Sequence, residues 1–141
     1  MLNIFRTVLI AICSLLTYSV IAQCDLMAEV PGVEPPVFSV ASLTPQPAFD
    51  GGDLAMYEFI SKERNYPKTA KKAEISGVVY VRVIVGTDGS LTNICVRRGL
   101  GYGCDEEAVR VLAAMPKWIP GKSKGEIVRS ELIVPILFGA K

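Results

Sequence analysis

Ser76-Gly77-Val78-Val79-Tyr80-Val81-Arg82-Val83-Ile84-Val85-Gly86-Thr87-Asp88-Gly89-Ser90-Leu91-Thr92-Asn93-Ile94-Cys95-Val96-Arg97-Arg98 reads as two β-rich runs joined at Asp88-Gly89. Asp-Gly supplies the positive φ angles of a tight turn, so the pair predicts a β-hairpin. The first run puts Val79, Val81, Val83 and Val85 on one face and Val78, Tyr80, Arg82 and Ile84 on the other. The second sets Ile94 and Val96 against Asn93, Cys95 and Arg97. A period of two belongs to a half-buried antiparallel sheet. The nearly continuous apolar first run predicts a strand flanked on both sides, at the centre of a small sheet.

The 141 residues allow one domain plus tails. A net charge of +1, with both signs mixed, gives no electrostatic footprint for nucleic acid. The chain has no histidine, which removes the commonest general base and metal ligand and with them most triad and zinc readings. No nucleophile–base set converges elsewhere. The expectation is a protein that is not an enzyme and uses neither metal nor cofactor.

Residues 1–22 carry one charge, Arg6, followed by an uncharged run from Thr7 to Ala22. That length suits a secretory signal better than a membrane span, for which about 20 apolar residues are needed. Val20 and Ala22 are small enough for signal-peptidase recognition, which predicts cleavage before Gln23. An uncleaved membrane anchor and lipidation at Cys24 are the alternatives, and each leaves the rest of the chain outside the cytoplasm. Residues 23–47 are rich in Pro, Val, Glu and Ser, the composition of an extended tether. At about 3.1 Å per residue it reaches no more than roughly 80 Å. The folded domain is then residues 48–141.

Cys13 lies in the apolar run, leaving Cys24, Cys95 and Cys104. No Cys-x-x-Cys pair supports a redox or zinc-ribbon site. Cys95 and Cys104 are near enough in sequence for a disulfide across a strand-to-helix loop in an oxidising compartment. Alternation sets Cys95 on the Arg97 face, which favours the other reading, two ordinary small residues.

Phe49-Asp50-Gly51-Gly52-Asp53 is a turn into a helix, with Asp53 as N-cap. Leu54, Tyr57 and Ile60, beside Met56 and Phe59, form its apolar stripe through Arg64. Tyr66-Pro67 ends that helix, and Pro67 opens a short basic one running to Glu74. Gly99, Gly101 and Gly103 then alternate in a loop whose spacing fits neither phosphate-binding motif. Asp105-Glu106-Glu107 caps a helix with Ala108, Val111, Leu112 and Met115 on one face, and Pro116 stops it. Trp118 is expected to plug one edge of the core with its indole N–H bonded nearby.

The last β-rich run is Ile127 to Phe138. A crossover through the helix brings it beside the first strand, in the order second–first–third (2-1-3), with every neighbouring pair antiparallel. Pro135 supports an edge position, because proline lacks a ladder donor. Such an edge offers unpaired N–H and C=O groups up to about Val134, where an extended peptide can add as a further strand. Arg129 and Glu131 read equally well as gatekeepers against uncontrolled pairing.

Phe49-Asp50-Gly51-Gly52, Tyr66-Pro67, Gly77-Val78-Val79, Asp88-Gly89, Cys104-Asp105-Glu106-Glu107-Ala108, Met115-Pro116-Lys117-Trp118-Ile119-Pro120-Gly121-Lys122 and Val134-Pro135-Ile136 follow one another in this order. Together they resemble the C-terminal domain of the TonB energy transducers, especially the Bacteroidetes forms. The resemblance implies an α+β domain with helices packed on one face of a three-stranded antiparallel sheet. It implies that the last strand captures the TonB box of an outer-membrane transporter by strand addition. By position the peptide-binding strand is Ile127-Val128-Arg129-Ser130-Glu131-Leu132-Ile133-Val134.

The sequence departs from full TonB proteins in its cleavable-looking hydrophobic segment, which lacks a histidine, and in its short tether. The expectation is therefore a periplasmic module that binds TonB-box-like segments of TonB-dependent outer-membrane transporters or other envelope proteins. A short, membrane-anchored energy transducer is the first alternative. The second, from another class, is a structural module that homodimerises through its edge strands.

Overall fold

The alternation in Ser76–Arg98 places one row of side chains inside. Val79, Val81, Val83 and Val85 are fully buried, while Tyr80 on the opposite row is 38% exposed. The computed structural model describes residues 36–139. In chain order its elements are β1 (Val37–Ser39), a 3-10 turn (Val40–Ser42), α1 (Gly52–Glu63), α2 (Lys68–Lys72), β2 (Gly77–Val85), β3 (Leu91–Arg98), α3 (Cys104–Ala113), β4 (Lys122–Ser123), β5 (Glu126–Ile127) and β6 (Arg129–Phe138). The main sheet runs β1-β6-β2-β3, with β2 antiparallel to both of its neighbours.

The second–first–third order of the expected strands is present, but the three-stranded antiparallel sheet is a mixed sheet of four. β1 adds outside β6 in parallel, through Val37↔Arg129, Phe38↔Ser130 and Ser39↔Glu131. Proline-rich flanks made this segment read as extended tether. An extended segment needs only a neighbouring row of backbone groups to become a strand.

The hairpin connection, 86–90, is longer than a two-residue turn. Gly86 N–H donates to the Ser90 carbonyl at 2.8 Å, and Gly89 N–H to the Gly86 carbonyl at 3.0 Å. Asp88 Oδ1 accepts from the Ser90 hydroxyl at 2.6 Å and the Ser90 N–H at 3.1 Å, and these bonds hold its carboxyl below the ordinary range. Gly89 has φ 81, and a Cβ there would stand 2.0 Å from the Trp118 carbonyl oxygen. Trp118 N–H donates back to the Gly89 carbonyl at 2.8 Å, so the turn is clamped to the tryptophan.

Trp118 is 5% exposed and meets Phe49 edge-on, with ring centroids 5.7 Å apart. Its indole N–H, expected to be bonded, has no partner among the described residues. Phe49 also lies 6.0 Å from Phe59 and so fixes the roll of α1. As a result Met56 and Ile60 are buried, whereas Leu54 and Tyr57, expected in the apolar stripe, are exposed. α3 buries Ala108, Val111 and Leu112 as expected, with Met115 partly buried beyond its end. The helix caps are Gly51 and Gly103, not Asp53 and Asp105. Asp105 turns back instead and accepts the Leu100 N–H at 2.8 Å.

Glu107 ties α3 to the end of α1. It accepts the Asn65 N–H at 2.7 Å and two bonds from Arg110, whose Nη2 also donates to the Glu63 carbonyl at 2.7 Å. The Arg110 bonds first, then the Asn65 N–H, hold the Glu107 carboxyl below its ordinary range against the opposing effect of burial.

Cys95 is disulfide-bonded, but Cys104 is a free and fully buried thiol, so the Cys95–Cys104 pair that the sequence left possible is not formed; of the two ordinary small residues that the alternation favoured, only Cys104 is one. Cys104 opens α3 on its core side, and burial, with Asp105 and Glu106 nearby, pushes its thiol up. The signal segment 1–22 and Cys24 lie outside the described residues.

The tether residues from 36 to 47 are folded onto the domain. The Ser42 hydroxyl donates to the Ser39 carbonyl at 2.8 Å and closes the 3-10 turn. Leu43 is 4% exposed and fills space that Gly121 leaves, where a Cβ would stand 2.8 Å from Leu43 Cδ1. Thr44 N–H donates to the Lys122 carbonyl and Lys122 N–H to the Pro45 carbonyl, both at 3.0 Å, and Ala48 bridges Ile119.

Candidate functional site

Which way the backbone of β6 faces follows from its neighbours. Gly86 N–H and the Ile84 carbonyl both bond to residues of the β3 side, Ser90 and Thr92. Backbone direction alternates along a strand, so Val79, Val81, Val83 and Val85 direct their groups to β6. Across the register Val79↔Ile136, Val81↔Val134, Val83↔Leu132 and Val85↔Ser130, these β6 residues face back. Arg129, Glu131, Ile133, Pro135 and Leu137 therefore point their backbone groups outward. The missing N–H of Pro135 falls on that side and takes no bond from the ladder with β2.

The expected site, Ile127 to Val134, divides into three parts. Ile127 belongs to β5 and pairs with Lys122, and Val128 N–H donates to the Gly121 carbonyl at 3.1 Å. Neither lies on the edge strand, because a small hairpin turning at Lys124-Gly125 uses their backbone first. Arg129, Ser130 and Glu131 are in β6, but β1 covers their outer side. Glu131 also pairs with Arg82 at 3.3 Å, which gives it a role within the sheet that the gatekeeper reading did not include. Leu132, Ile133 and Val134 remain. Among the described residues no strand pairs with the outer side of β6 beyond Glu131, so the unoccupied edge is Leu132–Phe138.

That edge is apolar on its outer face, with Ile133 53% and Leu137 62% exposed, while Val134, Ile136 and Phe138 anchor it in the core. Beside it opens a cavity of about 360 Å³, lined by Tyr57, Ile60 and Ser61 of α1, by Arg64 just after it, and by Val78, Pro135 and Leu137. The Arg64 guanidinium lies 5.5 Å from the Phe138 ring centroid. Sequence reasoning missed this cavity because it assigned Tyr57 to the core and took Pro135 as the end of the site. The exposure of Tyr57 depends on the roll of α1, which Phe49 sets from outside the helix.

The opposite edge strand, β3, is less regular. Its register with β2 shifts twice, and Asn93 has φ 49. Bulges of this kind blunt an edge against pairing. Among the described residues no group of three His, Cys, Asp or Glu side chains could hold a metal ion.

No curated protein matches the chain. Two solution NMR structures of the Helicobacter pylori TonB C-terminal domain are similar to it. That of residues 194–285 shares 24% identity, covers 61% of this chain and 90% of that one, and has a TM-score of 0.48. That of residues 179–285 shares 25% identity, covers 62% and 79%, and has a TM-score of 0.47. The family model described as the Gram-negative bacterial TonB protein C-terminal matches residues 62–139, from the last turn of α1 through β6. The chain belongs to the TonB C-terminal domain family.

Proposed function

We propose that this chain is a non-enzymatic periplasmic module that binds an extended peptide by adding it as a strand to the outer side of β6. The outer side of Leu132–Phe138, which no strand covers among the described residues and which the buried Val134, Ile136 and Phe138 back, is the observation that carries this reading. Outward N–H groups at Ile133 and Leu137 supply donors, and the outward carbonyls at Ile133, Pro135 and Leu137 supply acceptors. TonB C-terminal domains in general interact with outer-membrane transporters, which supports a TonB-box-like segment of such a transporter as the client. The family is a Gram-negative envelope domain, and among the described residues no helix is long and apolar enough to cross a membrane.

Capture of transporters from an envelope extract, compared between wild type and Ile133→Pro, tests the site. Proline removes the outward donor without touching the ladder to β2. Capture is expected to fall at least about tenfold, the equivalent of roughly 1.4 kcal/mol, while the melting temperature stays within a few degrees. Unchanged capture by the folded variant contradicts the reading. Light scattering with a TonB-box peptide separates client binding from pairing of two copies through the same edge.

A further inference from the structure

We propose that Val37–Ser39 is a resident strand that an incoming extended segment replaces, so that client binding and release of the linker are coupled. The proposal rests on the strand-addition reading above and adds what occupies part of that edge in the free protein.

Among the described residues β1 is held mainly by its short pairing with β6. It spans Val37–Ser39 against Arg129–Glu131, and none of its residues is buried. Among the described residues the firm attachment of the linker starts later, at the buried Leu43 and the bonds of Thr44, Pro45 and Ala48 to the segment 119–122. β1 can therefore leave the sheet without opening the core or loosening that anchor. By contrast β6 pairs with β2 along Gly77–Val85, so the edge itself stays formed when β1 leaves.

The resident strand also ends early. At Val40–Ser42 the 3-10 turn carries the linker away from β6, while the edge continues as Leu132–Phe138. A segment lying in the direction of β1, parallel to β6, and free of that turn would pair along both halves. Length favours such a client. The resident strand has the advantage of being tethered, since a short linker acts as an effective concentration in the millimolar range. The two compete for Arg129–Glu131, and the client gains when β1 is weakened.

Phe38 is the position to change. In a parallel pair one residue bonds to two residues of its neighbour, and Arg129 and Glu131, which face outward, flank the partner of Phe38. The probe is a fluorescent peptide copying residues 35–42, Pro-Pro-Val-Phe-Ser-Val-Ala-Ser, read by anisotropy against the full chain and its Phe38→Pro variant. The variant is expected to bind the probe at least about tenfold more tightly than wild type, with an unchanged melting temperature. Phe38→Gly, which loosens the strand without fixing φ, should shift affinity the same way by a smaller factor. Equal affinity in wild type and both variants overturns the proposal, as does absence of binding to all three. A TonB-box peptide run in parallel separates the two readings. If it binds wild type and variants alike, the resident-strand proposal falls and strand addition stands; if it binds none, both fall.

Discussion

Gly89 carries two requirements that no other residue type meets together. Its φ of 81 favours glycine, and its missing Cβ makes room for the Trp118 carbonyl. Gly89→Ala is expected to destabilise the fold by more than about 2 kcal/mol, because strain and a backbone clash add. A lowered urea midpoint with an unchanged m-value would show it; a midpoint within error of wild type would contradict the clamp. The φ requirement was legible in Asp88-Gly89, since a turn residue is read locally. The clash was not, because it depends on a residue far along the chain. The same reason hid the indole of Trp118, which has no partner among the described residues; the caps at Gly51 and Gly103 are local, set by their left-handed backbone, and Asp105 is engaged instead by the Leu100 N–H.

Between elements, the contact of Glu107 with Asn65, Arg110 and, through Arg110, Glu63 joins α3 to α1. A carboxyl held below its ordinary value stabilises the fold fully above the unfolded-state value of about 4.3 and loses that contribution as pH falls through the folded value. Glu107→Gln should therefore be less stable than wild type by about 1 kcal/mol at pH 7, a figure kept low because Arg110 is half exposed. The difference should close as pH drops below about 4. Denaturation midpoints of both proteins across pH 3–7 check this, and a gap that stays constant would remove the charged contact as its cause. Period-two alternation made β2 and β3 legible, a β-rich run made β6 legible, and helical spacing made α3 legible. α1 was legible as an element but not in its facing, because Phe49 sets its roll from the preceding turn. β1 left no periodic signal at all: its residues are few, follow two prolines, and owe their strand conformation to β6.

Across the whole molecule, the order of the three long strands followed from chain connectivity and one proline, and the structure has that order. What connectivity could not supply was the linker's return to the sheet. Residues 43–48 pack along the segment 119–122 and place β1 on the edge that the sequence left open, so the chain itself covers part of that edge. The candidate site was legible as an outer strand and displaced in its limits, from Ile127–Val134 to Leu132–Phe138. Residue-resolved amide exchange, recorded with and without a TonB-box peptide, tests the central claim most directly. In the free protein Ile133 and Leu137 should exchange fast while Leu132, Val134 and Ile136 are protected by β2. On peptide binding the exchange of Ile133 and Leu137 should slow by at least about tenfold, a change of roughly 1.4 kcal/mol in opening. Bound peptide that leaves both amides exchanging as before would contradict strand addition at β6.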